Sequence, residues 1–194
     1  MGKFAVIDTE TNWADQVMSI GTVIADTETF ETVAVKYHIL SEACGIGGMY
    51  YDALFLDTPV DPVHCTRGDA MGELLSWFCQ LGVCSIFAYN AAFDRNHLPE
   101  LRSLRWYDIM RLAAYRQHNP KIPAAAACCS TGRMKRGYGV EPMLRLLSGS
   151  GTYCETHNAL FDALDELEIM RLLNHPLGTY PPLSSPNFSP TGSV

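Results

Sequence analysis

Two carboxylates one residue apart, Asp8 and Glu10, close the segment Phe4-Ala5-Val6-Ile7-Asp8-Thr9-Glu10-Thr11. The apolar run Phe4-Ala5-Val6-Ile7 predicts a buried strand, and side chains at i and i+2 of a strand point to one face. Adjacent carboxylates repel unless a proton or a cation lies between them. Hard divalent cations such as Mg2+ prefer oxygen donors of this kind. The pair therefore has the chemistry of a metal site, although acids at a strand end also make turns.

Two further segments carry similar chemistry. Asn90-Ala91-Ala92-Phe93-Asp94 runs from a predicted strand into a predicted helix. Asn90 is placed to cap that helix and shares a face with Asp94. His157-Asn158-Ala159-Leu160-Phe161-Asp162 opens the last predicted helix. Five residues turn about 140° around an ideal helix, so His157 and Asp162 meet only if His157 lies in the preceding loop. The flexible Gly149-Ser150-Gly151 upstream permits that.

The elements that must position these residues follow from periodicity. Strands are expected at 3–8, 16–26 and 30–40, joined by short links into an antiparallel meander. In the second, Val17, Ser19, Gly21 and Val23 oppose Met18, Ile20, Thr22 and Ile24. Residues 42–65 read as a loop or short helix. A helix is expected at 69–81, with Met71, Leu74, Leu75, Phe78 and Leu81 as its apolar stripe, Asp69 as N-cap and Gly82 past its end. A strand at 85–89, a helix at 91–101 disturbed by Pro99, and a strand at 105–109 leading into a helix at 110–117 come next. Residues 119–138 are a long irregular loop. Helices at 140–147 and 158–173 follow. Three antiparallel strands followed by alternating helices and strands imply an α/β fold, a mixed sheet flanked by helices. Residues 1–174 make one domain, and 175–194 a flexible Pro/Ser-rich tail.

Composition sets the bounds. The chain has 194 residues, 47% hydrophobic and 18% charged, which suits one domain with a sizeable core. No apolar run approaches the roughly 20 residues of a membrane span, and no signal peptide is evident, so a soluble cytoplasmic protein is expected. The seven cysteines are odd in number and irregular in spacing. Cys79 and Cys84 read as small core residues. Cys128, Cys129 and Cys154, with His118, match no standard zinc finger, and reduced thiols are the simpler account. Trp77 and Trp106 are expected in the core. The net charge of −7 argues against nucleic acid as a partner. Its distribution argues the other way: ten of the fourteen Lys and Arg lie between Arg95 and Arg145 against three acids, leaving that segment near +7 and the rest near −14.

The three acidic motifs, in this order and at these spacings, resemble the DEDDh family of 3′-to-5′ exonucleases, which has a ribonuclease H-like fold. The resemblance covers residues 4–173. It implies that Asp8, Glu10 and Asp162 hold one Mg2+ ion, that Asp8 bridges to a second, and that Asp94 acts through waters, with Mn2+ able to substitute. It makes His157 the general base, a role that suits an imidazole. Expected substrate contacts are Thr9, Thr11 and Trp13 beside the first motif, Asn90 and Phe93 in the second, and Arg133, Lys135 and Arg136 in the basic loop. The implied reaction shortens nucleic acid from a free 3′ end and releases nucleoside 5′-monophosphates, with single-stranded DNA slightly favoured over RNA. A proofreading subunit tied to a polymerase, a homodimer, and a non-catalytic binding module are the other readings. The intact five-residue set argues against the last.

Overall fold

Strands β1 (Lys3–Thr11), β2 (Val17–Asp26) and β3 (Thr32–Leu40) form the antiparallel meander expected from their two-residue periodicity. The structure is a computed structural model and describes residues 2–183. β4 (Val63–Cys65) joins β3 in parallel, while β5 (Ser85–Ala88) and β6 (Arg105–Asp108) extend the other edge in parallel to β1. The six strands run in the order β4-β3-β2-β1-β5-β6. Around this mixed sheet lie α1 (Ser41–Cys44), α2 (Arg67–Leu81), α3 (Ala92–His97), α4 (Met110–Ala113), α5 (Val140–Ser148) and α6 (Ala159–Leu173).

The sheet separates two apolar layers. Phe4 and Val6 of β1 pack with α5 and α6, whereas Ala5 and Ile7 pack with α2 and the chain around α3. β2 is buried at every position, as a central strand covered on both faces must be. Its alternation breaks once. Glu10 pairs with Ser19 and Thr11 with Val17, so Met18 has no partner and joins the layer of Val23 instead of that of Ile20 and Ile24. This β-bulge moves both Met18 and Val17 to the faces opposite those that strict alternation would give them.

Several local expectations are corrected. Thr66, not Asp69, caps α2. Its hydroxyl accepts from the Asp69 amide (3.2 Å) and donates to the Asp69 carboxylate (2.7 Å), a reciprocal cap that starts the helix two residues earlier than expected. Leu75 is exposed, whereas Gly82 ends the helix with φ of 69° as anticipated. Pro99 lacks an N–H and cuts α3 to six residues, after which a 3-10 turn covers Pro99–Leu101. α4 stops after four residues, and Tyr115 then bridges to Arg133. β4 lies within the stretch read as a loop. Trp106 is core, its indole N–H donating to the Leu101 carbonyl (3.0 Å), while Trp77 is half-buried under Lys36. Cys79 and Cys84 are exposed, and all seven cysteines are free.

Residues 175–183, which composition assigns to the tail, pack onto the domain. Tyr180 is buried against Phe87, and the Leu183 amide donates to the Trp106 carbonyl at 2.8 Å. The rest of the expected tail, 184–194, lies outside the described residues. Among those described, no helix is long and apolar enough to cross a membrane.

One contact fixes the last helix against the sheet. Gly21 pairs with Asp8 across β1 and β2, and a Cβ there would meet the Ala159 carbonyl oxygen at 2.0 Å. Both partners are backbone in rigid elements, so neither can yield cheaply. Gly21→Ala should destabilise the fold by about 3 kcal/mol, the upper range for overpacking. Urea denaturation would show it as a lower midpoint, and an unchanged midpoint would mean that α6 shifts freely on β2.

Candidate active site

β1 continues straight through its acids to Thr11, so Asp8 and Glu10 sit within the strand and not past its end. Strand alternation places both on the face of Phe4 and Val6, under α6. Thr9 lies between them on the opposite face. Its hydroxyl, 5% exposed, donates to Asp94 Oδ1 at 2.8 Å. The Thr9 hydroxyl, expected at the substrate, is thus engaged in holding Asp94.

The second motif is a turn before a short helix. Asn90 adopts φ of 63°, a left-handed conformation that Asn tolerates better than most residues. Its amide donates to Asp108 Oδ1 at 3.1 Å, and its exposed side chain does not cap α3. The turn lets α3 start over β1 and points the 2%-exposed Asp94 at Thr9.

The third motif resolves as its spacing required. Asn158 is the N-cap of α6, accepting from the Leu160 amide (3.1 Å) and the Phe161 amide (3.4 Å). His157 precedes the cap in the left-handed region at φ of 55°, and Asp162 lies buried in the first turns. One ligand atom each from Glu10, His157 and Asp162 falls within 4.8 Å of the other two.

The electrostatics describe the same convergence. Burial, then the charges of Asp94 and Asp162, raise the Asp8 carboxyl well above its ordinary range. Burial, then Glu155 and Asp94, push Glu10 to about 8. Burial, then Glu155 and Glu10, push Asp162 to about 9. Burial lifts Asp94 to about 7 against the opposing hydrogen bond from Thr9. Asp8 Oδ2 and Asp162 Oδ1 are buried without a hydrogen-bond partner. Oxygens so placed fit a hard divalent cation, which would relieve both the repulsion and the lost hydrogen bonds.

Two acids belong to this cluster that the motifs did not single out. Glu166 is 1% exposed, one turn beyond Asp162, and burial followed by the charges of Asp8 and Asp94 raises its carboxyl well above its ordinary range. Its helix is buried on most of its surface, so the sequence pattern did not set this acid apart. Glu155, half-buried two residues before His157, acts on Asp8, Glu10 and Asp162. Nothing in its spacing marked it.

The expected substrate residues are partly gathered. Trp13 is 67% exposed, with its amide bonded to the Gly47 carbonyl (3.1 Å), and Thr11 is half-buried beside it. Phe93 is exposed against His97. Arg133 stacks over Tyr138 and shares a cavity of about 330 Å3 with Asn90, Tyr89 and Met110. Lys135 and Arg136 line a separate cavity of about 440 Å3 with Met134. A further cavity of about 690 Å3 lies between α2, α3 and residues 15–17. Its arginine, Arg67, is already paired with Glu100, and His97 contacts Asp15.

The acids have a consequence for stability. A carboxyl raised in the folded state favours folding below its unfolded value near 4 and loses that contribution as pH rises through the folded value. For Asp94, Glu10 and Asp162 the loss runs from about 4 up to about 7, 8 and 9 respectively. The melting temperature of chelator-treated protein should fall from about pH 5 to about pH 9. Asp8→Asn should flatten that fall, and Mn2+ should reverse it in the unaltered chain. A melting temperature indifferent to both pH and Mn2+ would mean that the acids do not converge.

No family model matches the sequence, and no curated protein matches it. Solved structures do. The nuclease domain of 3′hExo, a DEDDh family member, bound to rAMP, superposes with a TM-score of 0.65 at 15% identity over 94% of this chain and 96% of that one. A 3′-exonuclease that recognises the 3′ end of the histone mRNA stem-loop gives 0.63 at 13% identity over 94% and 71%. E. coli exonuclease I in complex with a dA16 oligonucleotide gives 0.56 at 14% identity over 92% of this chain and 42% of that one. At these identities the similarity is one of fold: the chain has the ribonuclease H-like fold of the DEDDh 3′-exonucleases.

Proposed function

We propose that the chain is a divalent-metal-dependent 3′-to-5′ exonuclease that releases nucleoside 5′-monophosphates from single-stranded nucleic acid. The observation that carries this reading is that ligand atoms of Glu10, His157 and Asp162 meet within 4.8 Å and the charges of Asp8 and Asp94 act on the same cluster, with two buried carboxylate oxygens lacking partners. Asp8, Glu10 and Asp162 would hold one Mg2+, with Asp8 shared to a second and Asp94 acting through water. Two such ions would stabilise the attacking and leaving oxygens of an in-line displacement at phosphorus.

The chain's own residues supply the rest. His157 takes the proton of the attacking water on a ring nitrogen, which lies beside Glu10 and Asp162. A bond forms from the water oxygen to phosphorus while the bond from phosphorus to the 3′ oxygen breaks. The shortened strand keeps a 3′-hydroxyl, and the released nucleotide keeps the 5′-phosphate. Trp13 offers an exposed aromatic face to the terminal base, a contact of about 1–3 kcal/mol. Arg133 and Asn90 share a cavity that suits a backbone phosphate one step upstream. Lys135 and Arg136 would meet the strand further out.

The structural neighbours carry both RNA and DNA, a histone mRNA stem-loop in one and dA16 in another. This supports nucleic acid as the substrate class. We place DNA slightly ahead of RNA for this chain, and matched strands decide it.

With 5′-labelled single strands and Mg2+ or Mn2+, a ladder should shorten from the 3′ end and vanish with EDTA. No shortening of DNA or RNA would sink the reading. His157→Ala should slow turnover by about 10²–10⁴-fold with Mn2+ affinity retained. Collapse of that affinity would instead make His157 a ligand. Replacing Arg133, Lys135 and Arg136 together by Ala should reduce the salt slope of binding by about 2, as expected for three lost phosphate contacts on a single strand. An unchanged slope would route the strand elsewhere.

A further inference from the structure

The Tyr50 ring lies flat against the His157 imidazole, with centroids 3.8 Å apart and planes 15° from parallel. The His157 backbone sits in the left-handed region at φ of 55°. A non-glycine residue holds that conformation only when its surroundings over-determine it. Here one short turn does so from two directions. Asn158, the next residue, donates from Nδ2 to the Ala53 carbonyl (2.7 Å) and to the Tyr37 hydroxyl (3.0 Å). The Tyr37 hydroxyl in turn donates to the Leu54 carbonyl (3.0 Å). Ala53 and Leu54 belong to the 3-10 turn Tyr51–Phe55, whose Ala53 amide donates back to the Tyr50 carbonyl (3.0 Å). The same turn thus holds the Asn158 side chain next to His157 and, through Tyr50, the face of the His157 ring. Its upstream end reaches the first motif, where Gly47 accepts from the Trp13 amide and Gly48 packs against the Thr11 carbonyl.

We infer that Tyr50 is a positioning residue for His157, its ring fixing the plane of the imidazole beside Glu10 and Asp162. The inference rests on the proposed exonuclease function for its kinetic consequence, and on geometry alone for the contact itself. An imidazole with one face covered keeps two torsions from wandering, so its nitrogens stay directed at the carboxylate side. The sequence carries no marker for Tyr50, because the contact joins a loop to a segment far along the chain.

The test uses the full chain: metal-free protein with histidine-selective labelling for the spectra, and single-stranded DNA with Mn2+ for turnover. The Tyr50 ring current should displace the His157 ring-proton resonances upfield. Tyr50→Ala should return them to their ordinary position, and Tyr50→Phe should keep the displacement. Turnover should follow the same order. Tyr50→Ala should lower kcat by about tenfold to a hundredfold, the cost of a misplaced catalytic group. KM and Mn2+ affinity should stay within about twofold, and Tyr50→Phe should restore kcat. Should Tyr50→Ala not fold, Tyr50→Leu replaces it, since Leu fills the space without an aromatic face. Unmoved His157 resonances in the Ala or Leu variant, or an unchanged kcat when they do move, would overturn the inference. A chain without nuclease activity fails the proposed function instead, and the resonances still report whether Tyr50 orients His157.

Discussion

Repulsion among buried carboxylates is the constraint on which this structure turns. Asp8, Glu10, Asp94 and Asp162 converge, with Glu155 and Glu166 close by. Two unit charges 4 Å apart repel by about 4 kcal/mol at the effective dielectric typical near a protein surface. A mobile scaffold would relieve that by spreading. This one resists, because β1 is bonded on both sides, to β2 and to β5, and lies between two apolar layers. Protonation is one relief, as the raised carboxyls record. A bound cation is the other, and only it leaves the acids ionised at neutral pH.

The convergence depends on three close approaches that each remove a freedom. Thr9 reaches through to the far face of the sheet and ties Asp94 to the strand that carries Asp8 and Glu10. The absent side chain of Gly21 lets α6 begin against β2, which places Asp162 opposite Asp8. The Asn158 cap then sets where α6 starts, and so where His157 must turn. Each uses a small or polar residue whose purpose is visible only from its partner.

That explains what could be read in the sequence. Asp8 and Glu10 were legible because strand periodicity is short and their apolar lead-in is unbroken. Asp94 and the His157–Asp162 pair were legible because their spacing demands a loop-to-helix junction, which the structure contains. Thr9 was expected at the substrate, and alternation turns its hydroxyl to the opposite face, where it holds Asp94. Glu166 was hidden by its helix: α6 is buried on most of its surface, so its stripe has little polar contrast to set an acid against. Tyr50, Asp108 and the Met18 bulge depend on tertiary contacts that no local pattern encodes. The helices expected at 91–101 and 110–117 were read too long, because Pro99 and the bridge from Tyr115 to Arg133 override apolar periodicity.

Charge distribution bears on how such a site would meet a polyanion. The chain carries −7 overall, so its far field opposes nucleic acid. At physiological ionic strength that field decays over about 8 Å, and contacts nearer than this decide binding. Arg133 lies beside Asn90 and against Tyr138, with Lys135 and Arg136 exposed further along the same loop. Under the proposed function a strand would be held by a few short-range contacts and by the ions bound to the acids, without long-range steering. Association should then be slow for a nucleic-acid enzyme, and base stacking on Trp13 should carry a larger share of affinity than in a basic nuclease.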